Sequence, residues 1–399
     1  MEFLDKLYKM TAISSFVDTP SALLMILVGM LLLYLGIKKE YEPLLLIPIG
    51  FGVLLANALG ANLDVAGPDE VDHMTLLEIA KTHGILSYLY YALIKTGLLP
   101  PLIFMGVGAL TDFGPMLRNL RLAFFGAAAQ IGIFTVLIFA ILAGFSPQNA
   151  AALGIIGGAD GPTAIYTAIM LADPELLGPI AVAAYSYMAL VPVIIPLVVK
   201  FTMTKKELLI NMKEQDKLYP PKIAIKNLKT VKIVFPIAIA GIVALFVPSA
   251  MPLIGMLVFG NLVKEIGVNV ERLKTAASGT ILNTATIFLG LTVGATMSAE
   301  SFLNVRTLLI LVGGFVAFTI SIAGGIYAVK IYNLFSKKKI NPLIGATGLS
   351  AVPMAARVAN LISLKHDPQN HILYYAMASN ISGVIGSAVA AGVLISILS

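Results

Sequence analysis

Long apolar stretches separated by short polar segments run through the whole chain. A stretch of about 20 apolar residues is the length of a membrane-spanning helix. The pattern predicts an all-α, polytopic membrane protein of about ten to eleven helices, in a single integral membrane domain covering 1–399. Prolines such as Pro100, Pro192 and Pro196 predict that several of these are paired short helices or re-entrant hairpins. The predicted spans are 21–38, 43–60, 84–111, 122–145, 150–172, 176–203, 232–262, 277–297, 307–333, 341–361 and 371–398.

One carboxylate lies in the middle of an apolar stretch. Residues 154–166 read GIIGGADGPTAIY and place Asp160 among glycines and a proline. A charge at this depth costs about 2.5–3.5 kcal/mol unless it faces a partner or a water-filled cavity. Gly158, Gly161 and Pro162 predict a broken helix, which transporters use near the bilayer midplane to coordinate ions. Asp160 is therefore a candidate functional residue, and the alternative is that it ends a surface loop between two ordinary spans.

The composition agrees with a lipid environment. The chain is 58% hydrophobic and 12% charged, with a mean hydropathy of +0.92, whereas soluble domains carry roughly 25% charged residues. The net charge of +6 includes many lysines in the polar segment 204–232. The positive-inside rule predicts that this segment is cytoplasmic, so the positive charge indicates orientation and not nucleic-acid binding. The N-terminal residues, with Asp5 and Lys6, do not resemble a cleavable signal peptide.

Two parts of the chain share a plan, at about 84–203 and about 277–398. NAAALGIIGGADGPTA aligns with NPLIGATGLSAVPMAA when one gap is allowed, and an Asp-Pro pair follows each. An odd number of spans between the copies would invert one relative to the other and place Asp160 opposite Ser350. We expect this inverted arrangement. Because the copies match weakly, chance similarity between apolar sequences is the alternative.

The polar residues in apolar surroundings nearly all offer oxygen. They are Asp160, Thr163, Tyr185, Tyr187, Asn341, Ser350, Arg357 and Asn380. One carboxylate with neutral oxygens suits a monovalent cation such as Na⁺, and a proton relay through Asp160 is the alternative. The tyrosines could instead pack within the protein or lie in an interfacial belt. Arg357 needs an anion, either Asp160 or a substrate carboxylate.

Motifs for ATP hydrolysis or serine catalysis are absent. The chain contains no P-loop, no GxSxG elbow and no nucleotide fingerprint, and its four histidines show no metal-ligand spacing. With no cysteine, it has no disulfide and no thiolate nucleophile. From these residues alone, a stand-alone Na⁺-coupled carboxylate symporter with Arg357 as its anion clamp remains open. A passive channel is less favoured, because a single buried carboxylate flanked by broken helices is typical of an occluded site.

The chain resembles the beta subunits of sodium-translocating, biotin-dependent decarboxylases, over about residues 20–398. That family includes the membrane subunits of the oxaloacetate, methylmalonyl-CoA and glutaconyl-CoA decarboxylase pumps. The resemblance lies in GGADGPT around Asp160, AVAAYSYMALVP at 181–192, NPLIGATGLSAVPMAARVAN at 341–360, DPQNHIL at 367–373 and NISGVIGSAVAAGVL at 380–394.

The resemblance implies a membrane enzyme subunit that decarboxylates carboxybiotin and moves Na⁺ outward as it does so. It also implies a biotin-carrying carboxyltransferase alpha subunit or biotin carrier protein, a small single-span gamma-type subunit, and a homotrimer of this chain in membrane lipid. The membrane would be the inner cell membrane of a prokaryote. The chain has no AMKM biotin-attachment sequence, so biotin must arrive on another subunit. The segment 204–232 could dock that carrier, or could be a solvated loop that only sets topology.

The resemblance also assigns roles by position. The family's essential aspartate falls on Asp160, its functional tyrosine on Tyr185 or Tyr187, and its Asn, Gly, Ser, Arg and later Asn on Asn341, Gly345, Ser350, Arg357 and Asn380. The predicted Na⁺ ligands are Asp160, Thr163, Asn341, Ser350 and Asn380. The predicted catalytic residues are Asp160, Tyr185, Tyr187 and Arg357, and the predicted carboxybiotin contacts are Gly345, Arg357 and Asn380. Loss of CO₂ leaves charge on the ureido group, so a tyrosine hydroxyl or Arg357 would supply the acid and the anion stabiliser.

Overall fold

A computed structural model describes residues 19–40, 43–58, 63–219, 227–267, 270–303, 305–351 and 353–399. These parts contain helices and no strand, which confirms the predicted all-α class. Positions 1–18, with Asp5 and Lys6, and positions 220–226 of the basic segment lie outside the described residues.

The helices are numbered in chain order. The first twelve are α1 Pro20–Lys38, α2 Pro43–Ala56, α3 Leu76–Thr82, α4 Gly84–Leu89, α5 Leu99–Leu110, α6 Gly114–Arg118, α7 Leu120–Ala129, α8 Ile131–Leu142, α9 Pro147–Ile155, α10 Gly161–Leu171, α11 Pro174–Ala189 and α12 Val191–Thr202. The others are α13 Lys205–Leu208, α14 Met212–Leu218, α15 Leu228–Phe246, α16 Met251–Ile266, α17 Glu271–Thr275, α18 Leu282–Ala295, α19 Ala299–Phe302, α20 Val305–Phe335, α21 Met354–His366 and α22 Leu373–Leu398.

The number of membrane spans differs from the prediction. Within the described residues, 7 helical stretches are long and apolar enough to cross a membrane, and two bent helix pairs raise the number to 9. The count of about ten to eleven is therefore not confirmed. The predicted spans 150–172 and 341–361 contain re-entrant hairpins, and 43–60 contains α2, which has only 14 residues. Conversely, the predicted span 232–262 contains parts of two helices, α15 and α16.

The bends in the helix pairs have local causes. A π-helical turn, Tyr90–Ile94, follows α4, and the chain then bends by 68° around Gly97, whose φ is +72°. The next helix, α5, has Pro100 in its first turn. A similar break separates α11 from α12, where Pro192 occupies the first turn of α12. Proline fits a first turn because it has no N–H to pair, but it cannot continue a preceding helix. The predicted bent pairs are therefore present.

The helices form two packed groups. One contains α1, α2, α5, α16 and α18, and the other contains α7, α8, α20, α22 and the two hairpins. Glycines bring backbones together in the first group: a Cβ on Gly52 would lie 2.3 Å from the Leu291 carbonyl oxygen, and one on Gly260 would lie 1.9 Å from that of Met105. Small residues allow this close approach between helices in lipid, where packing supplies much of the association energy.

The first hairpin comprises α9, the 3₁₀ turn Ile156–Gly158 and α10. Ser146 caps α9 by accepting a hydrogen bond from the Asn149 amide, and Pro147 begins the helix. The two ends of the hairpin meet, because Asn149 Nδ2 lies 2.6 Å from Asp173 Oδ2 and Asp173 N lies 2.9 Å from Asn149 Oδ1. A membrane span would hold its ends about 30 Å apart, so this segment enters and leaves on one side.

The second hairpin comprises the 3₁₀ helix Pro342–Thr347 and α21. Asn341 before it and Asn370 after it both donate to the Ile210 carbonyl, at 3.0 and 3.1 Å. Its ends therefore meet on the segment between α13 and α14. This segment directly follows α12, whereas α11 begins at the base of the first hairpin. Counted as one bent span, α11 and α12 would place the bases of the two hairpins on opposite sides of the membrane.

The tips of the two hairpins meet inside the protein. The Ser350 amide donates to the Gly158 carbonyl at 3.0 Å. This contact joins the two halves where the helices are broken, and the inverted arrangement of the two repeats stays a prediction.

Candidate functional site

Asp160 lies at the tip of the first hairpin. The preceding residue, Ala159, adopts a left-handed conformation with φ +55°, which turns the chain sharply after the 3₁₀ turn. Asp160 is then the N-cap of α10 and accepts a hydrogen bond from the Thr163 amide at 3.2 Å. Its side chain is 4% exposed. α10 begins at the tip of the first hairpin, and α21 begins near the tip of the second. The N-terminus of a helix carries partial positive charge, which stabilises a negative group nearby.

Two serines connect Asp160 to the second hairpin. Ser387 of α22 donates to Asp160 Oδ2 at 2.6 Å, and Ser350 donates to Ser387 Oγ at 2.8 Å. The predicted juxtaposition of Asp160 and Ser350 is therefore present, although Ser387 lies between them in the hydrogen-bond chain. A buried carboxylate needs an ion-pair or hydrogen-bond partner. For Asp160 the hydrogen-bond partners are hydroxyl groups and a backbone amide.

Several buried oxygen atoms near the tips have no hydrogen-bond partner. Thr163 Oγ1 is in the first turn after Asp160, and the Tyr185 ring packs against Gly161, where an added Cβ would lie 2.5 Å from Cζ. Asn380 donates through Nδ2 to the Leu349 carbonyl and leaves Oδ1 unpaired. The unpaired buried atoms in this region are Gln130 Oε1, Thr163 Oγ1, Tyr185 OH, Ser379 Oγ and Asn380 Oδ1. Buried polar atoms are rarely left unpaired, so this set fits an oxygen-coordinated cation.

The two candidate tyrosines point to different surroundings. Tyr185 is fully buried beside the Asp160 turn, and its hydroxyl has no partner. Tyr187 instead faces α20: its hydroxyl donates to the Leu311 carbonyl and its ring packs against Gly314. Residues two apart on a helix face nearly opposite directions, so only one of the pair can reach the tip. The structure brings Tyr185 to Asp160.

Asn341 lies at the base of the second hairpin and not at its tip. Its Nδ2 donates to the Leu208 and Ile210 carbonyls, at 3.1 and 3.0 Å, and its Oδ1 accepts from the Leu343 amide. The carboxamide is therefore fully used in holding the hairpin to the segment between α13 and α14. The structure gives it no hydrogen bond to Asp160, and its role as an ion ligand stays a prediction.

Gly345 is buried against α20. A Cβ at this position would lie 2.0 Å from the Gly325 carbonyl oxygen, and a Cβ on Gly325 would lie 2.1 Å from the Gly345 carbonyl oxygen. This mutual contact leaves no space on that face for carboxybiotin. The structure gives Gly345 a packing role, and its contact with carboxybiotin stays a prediction.

Arg357 is exposed in the first turn of α21, close to the tip of the second hairpin. It forms no ion pair with any other residue that the structure describes. Asp160, one of the two anions predicted for it, is therefore not its partner. An exposed cation next to a broken helix leaves a substrate anion as the remaining predicted partner.

Gln130 and Ser387 were missed by the sequence reasoning. Gln130 interrupts the apolar run GAAAQIGIF, and an amide inside such a run is a signal that could have identified it. Ser387 gives no comparable signal, because a serine within a membrane helix can bond to its own backbone, and the Val384 carbonyl oxygen lies 3.0 Å from Ser387 Oγ.

The chain matches a known family over nearly its whole length. Residues 21–398 match the family described as Na⁺-transporting oxaloacetate decarboxylase beta subunit. The chain belongs to this family. It is 49% identical over 385 residues to the methylmalonyl-CoA decarboxylase subunit beta of Propionigenium modestum, with 94% of each chain covered. It is 46% identical over 431 residues to the oxaloacetate decarboxylase beta chain of Haemophilus ducreyi, with 96% of each covered.

A third relative is the methylmalonyl-CoA decarboxylase subunit beta of Veillonella parvula, which is 48% identical over 376 residues, covering 94% of this chain and 93% of the relative. Membership of the Na⁺-transporting decarboxylase family confirms the resemblance drawn from the motifs. The chain is accordingly a membrane subunit of a decarboxylase translocase.

Proposed function

We propose that this subunit decarboxylates carboxybiotin, which a partner subunit delivers, and uses the reaction to move Na⁺ out of the cell. The observation that carries the proposal is the site between the hairpin tips. There Asp160 lies among buried oxygens without partners, between the tips of two hairpins. We infer that these hairpins enter from opposite sides of the membrane. An ion can enter a site of this kind from one side of the membrane while a hairpin tip closes the other side.

Na⁺ would bind as cargo between the tips. Asp160 supplies the single negative charge, and Thr163, Asn380 and Ser350 supply neutral oxygens. One carboxylate balances one monovalent charge, and hydroxyl and amide oxygens are ligands that hard cations prefer. Asn341 stays outside this set, because its hydrogen bonds hold the base of the second hairpin.

Decarboxylation requires an anion contact and a proton. As the bond between the carboxyl carbon and the ureido nitrogen breaks, its electron pair moves to the nitrogen, which takes up a proton. Arg357, exposed and unpaired beside the second tip, would contact the carboxylate. The Tyr185 hydroxyl, buried next to Asp160 without a partner, would deliver the proton. Moving one Na⁺ charge against 100 mV costs about 2.3 kcal/mol, which the reaction has to supply.

Orientation and assembly complete the proposal. The segment 204–232 would be cytoplasmic, with repeats at about 84–203 and 277–398 on either side of it. The partners would be a biotin-carrying alpha subunit or biotin carrier protein, a single-span gamma-type subunit and two further copies of this chain in lipid. Four exposed lysines of this segment, Lys205, Lys206, Lys213 and Lys217, would offer the carrier positive charge.

Transport in inverted vesicles of the reconstituted complex tests the proposal. The wild type should take up ²²Na⁺ when the carboxylated carrier is supplied, and avidin should abolish uptake. Asp160→Asn should lose both uptake and decarboxylation, whereas Asp69→Asn, a change at an exposed carboxylate, should leave both intact. An Asp160→Asn protein that pumps Na⁺ at the normal rate would refute the proposal.

A Na⁺-coupled carboxylate symporter is the second candidate, favoured only by the exposed and unpaired Arg357. It predicts avidin-insensitive uptake driven by a carboxylate gradient, and no co-purification with a biotinylated protein. The family membership favours the decarboxylase.

A further inference from the structure

Gln130 lies at the junction of α7 and α8, where the two helices meet in the middle of one span. Its side chain is 5% exposed. It packs against the first hairpin and α22, because added Cβ atoms on Gly158 and Gly386 would each lie 3.2 Å from a Gln130 side-chain atom. Its Nε2 also reaches the Gly348 carbonyl of the second hairpin. A polar side chain this deep in a membrane protein is a candidate functional group.

The hydrogen bonds of Gln130 fix the direction of its carboxamide. Nε2 faces three backbone carbonyls: Gly126 at 3.1 Å, Gly348 at 3.1 Å and Gly383 at 3.3 Å. Since carbonyl oxygens can only accept, the nitrogen must be on this side and the oxygen on the other. Oε1 is buried and accepts no hydrogen bond.

The free oxygen points towards the Asp160 site. A Cβ on Gly158 would lie 3.2 Å from Gln130 Oε1 and 3.2 Å from Ser387 Cβ, so both side chains border the same small space beside Gly158. Ser387 is the residue that donates to Asp160. Gln130 Oε1 therefore faces the region where Thr163 Oγ1 and Asn380 Oδ1 are also unpaired.

We propose that Gln130 Oε1 is a further ligand for the transported cation, held in place by the hydrogen bonds of Nε2 to backbone carbonyls. A ligand of this kind links ion binding to closure, because Nε2 contacts the second hairpin and Oε1 faces the first. The inference rests on the proposed function and adds a residue to its ion site.

Replacement of Gln130 by methionine tests this role, with Asn261→Leu as the matched control. Asn261 is also a fully buried carboxamide: Nδ2 faces the Gly108 and Thr111 carbonyls, and Oδ1 is unpaired, but it lies between α5 and α16. Both variants lose similar hydrogen bonds, so both should lose thermal stability. Only Gln130→Met should raise the Na⁺ concentration for half-maximal carboxybiotin decarboxylation, by about 10- to 100-fold, the scale of losing one polar group at a metal site.

The half-saturation value does not depend on how much protein is folded, so a poorly expressed variant still reports on the ligand. If Gln130→Met does not fold at all, Gln130→Asn, which keeps a shortened amide, should give a smaller shift in the same direction. An unchanged half-saturation in Gln130→Met, or an equal shift in Asn261→Leu, would overturn the inference while leaving the proposed function standing. A wild-type complex whose activity does not respond to Na⁺, or an active Asp160→Asn protein, would instead refute the proposed function.

Discussion

Substitution of Gly345 by alanine separates packing from cofactor binding. The new Cβ would lie 2.0 Å from the Gly325 carbonyl oxygen, whereas ordinary contacts begin at 3.4 Å, so the second hairpin and α20 must move apart by more than an ångström. The two nearest atoms, the Gly325 carbonyl oxygen and carbon, belong to the backbone and cannot rotate away from the new Cβ. Overpacking of this kind costs about 1–3 kcal/mol, and the rigid contact places Gly345→Ala at the upper end of this range.

The matched control is Gly313→Ala on the same helix, α20. A Cβ at Gly313 would have no atom within 4 Å. Because alanine is the better helix former by about 1 kcal/mol, this change should be neutral or slightly stabilising. Both variants can be heated in detergent and the surviving folded fraction measured by size-exclusion chromatography, with the decarboxylation rate determined per folded protein.

We expect Gly345→Ala to lose thermal stability and Gly313→Ala to keep it. Gly325→Ala should behave like Gly345→Ala, since its Cβ would lie 2.1 Å from the Gly345 carbonyl oxygen. If Gly345→Ala is as stable as the control but binds carboxybiotin poorly, the packing argument is wrong and the role predicted from the sequence motif is right.

Three further predictions follow from single contacts. Tyr185→Phe should abolish decarboxylation without loss of thermal stability, because its hydroxyl has no partner, whereas Tyr187→Phe should lose about 0.5–1.5 kcal/mol of stability and keep activity; the opposite pattern would exchange their roles. Asp216→Asn should loosen the base of the second hairpin, because Asp216 accepts from Lys338 at 2.5 Å and from a tyrosine of α22 at 2.6 Å; faster amide hydrogen exchange in 338–347 would show it, and unchanged exchange would contradict it. Burial favours a higher pKa for Asp112, but the ion pair with Lys232 and the hydrogen bond from the Gly114 amide lower that pKa on balance. The resulting stabilisation is present above the usual pKa of about 3.9 and is lost as pH falls through the lowered pKa. Below about pH 4, melting curves of the wild type should therefore converge on those of Asp112→Asn.

The fold class and the central carboxylate could be predicted from the sequence, because both depend on strong energetic signals. A run of about twenty apolar residues is the length of a membrane-spanning helix. A carboxylate within such a run is costly, which marks Asp160 as a functional residue. The number of spans could not be predicted to the same degree. A re-entrant hairpin such as 147–171 has the length and composition of a span, and the contact that reveals it, between Asn149 and Asp173, joins residues far apart in sequence.

The site was predictable in part. Asp160 and Ser350 come together because two breaks in corresponding positions meet at their tips. Asn341 and Gly345 share a motif with Ser350, but a motif does not say which residues lie at the base of a hairpin and which at its tip. Gln130 and Ser387 reach the same place from other helices, and a contact of this kind depends on packing that local patterns do not encode.

The hydrogen bond between the hairpin tips is made by main-chain atoms only, the Ser350 amide and the Gly158 carbonyl. Side-chain replacements at position 350, other than proline, leave that bond available. The hydroxyl of the same residue meanwhile belongs to the chain of contacts that ends on Asp160. The contact between the two hairpins and the contact with the proposed ion site therefore use different atoms of one residue, so a substitution at position 350 can change the proposed ion site while the backbone bond between the hairpins is kept.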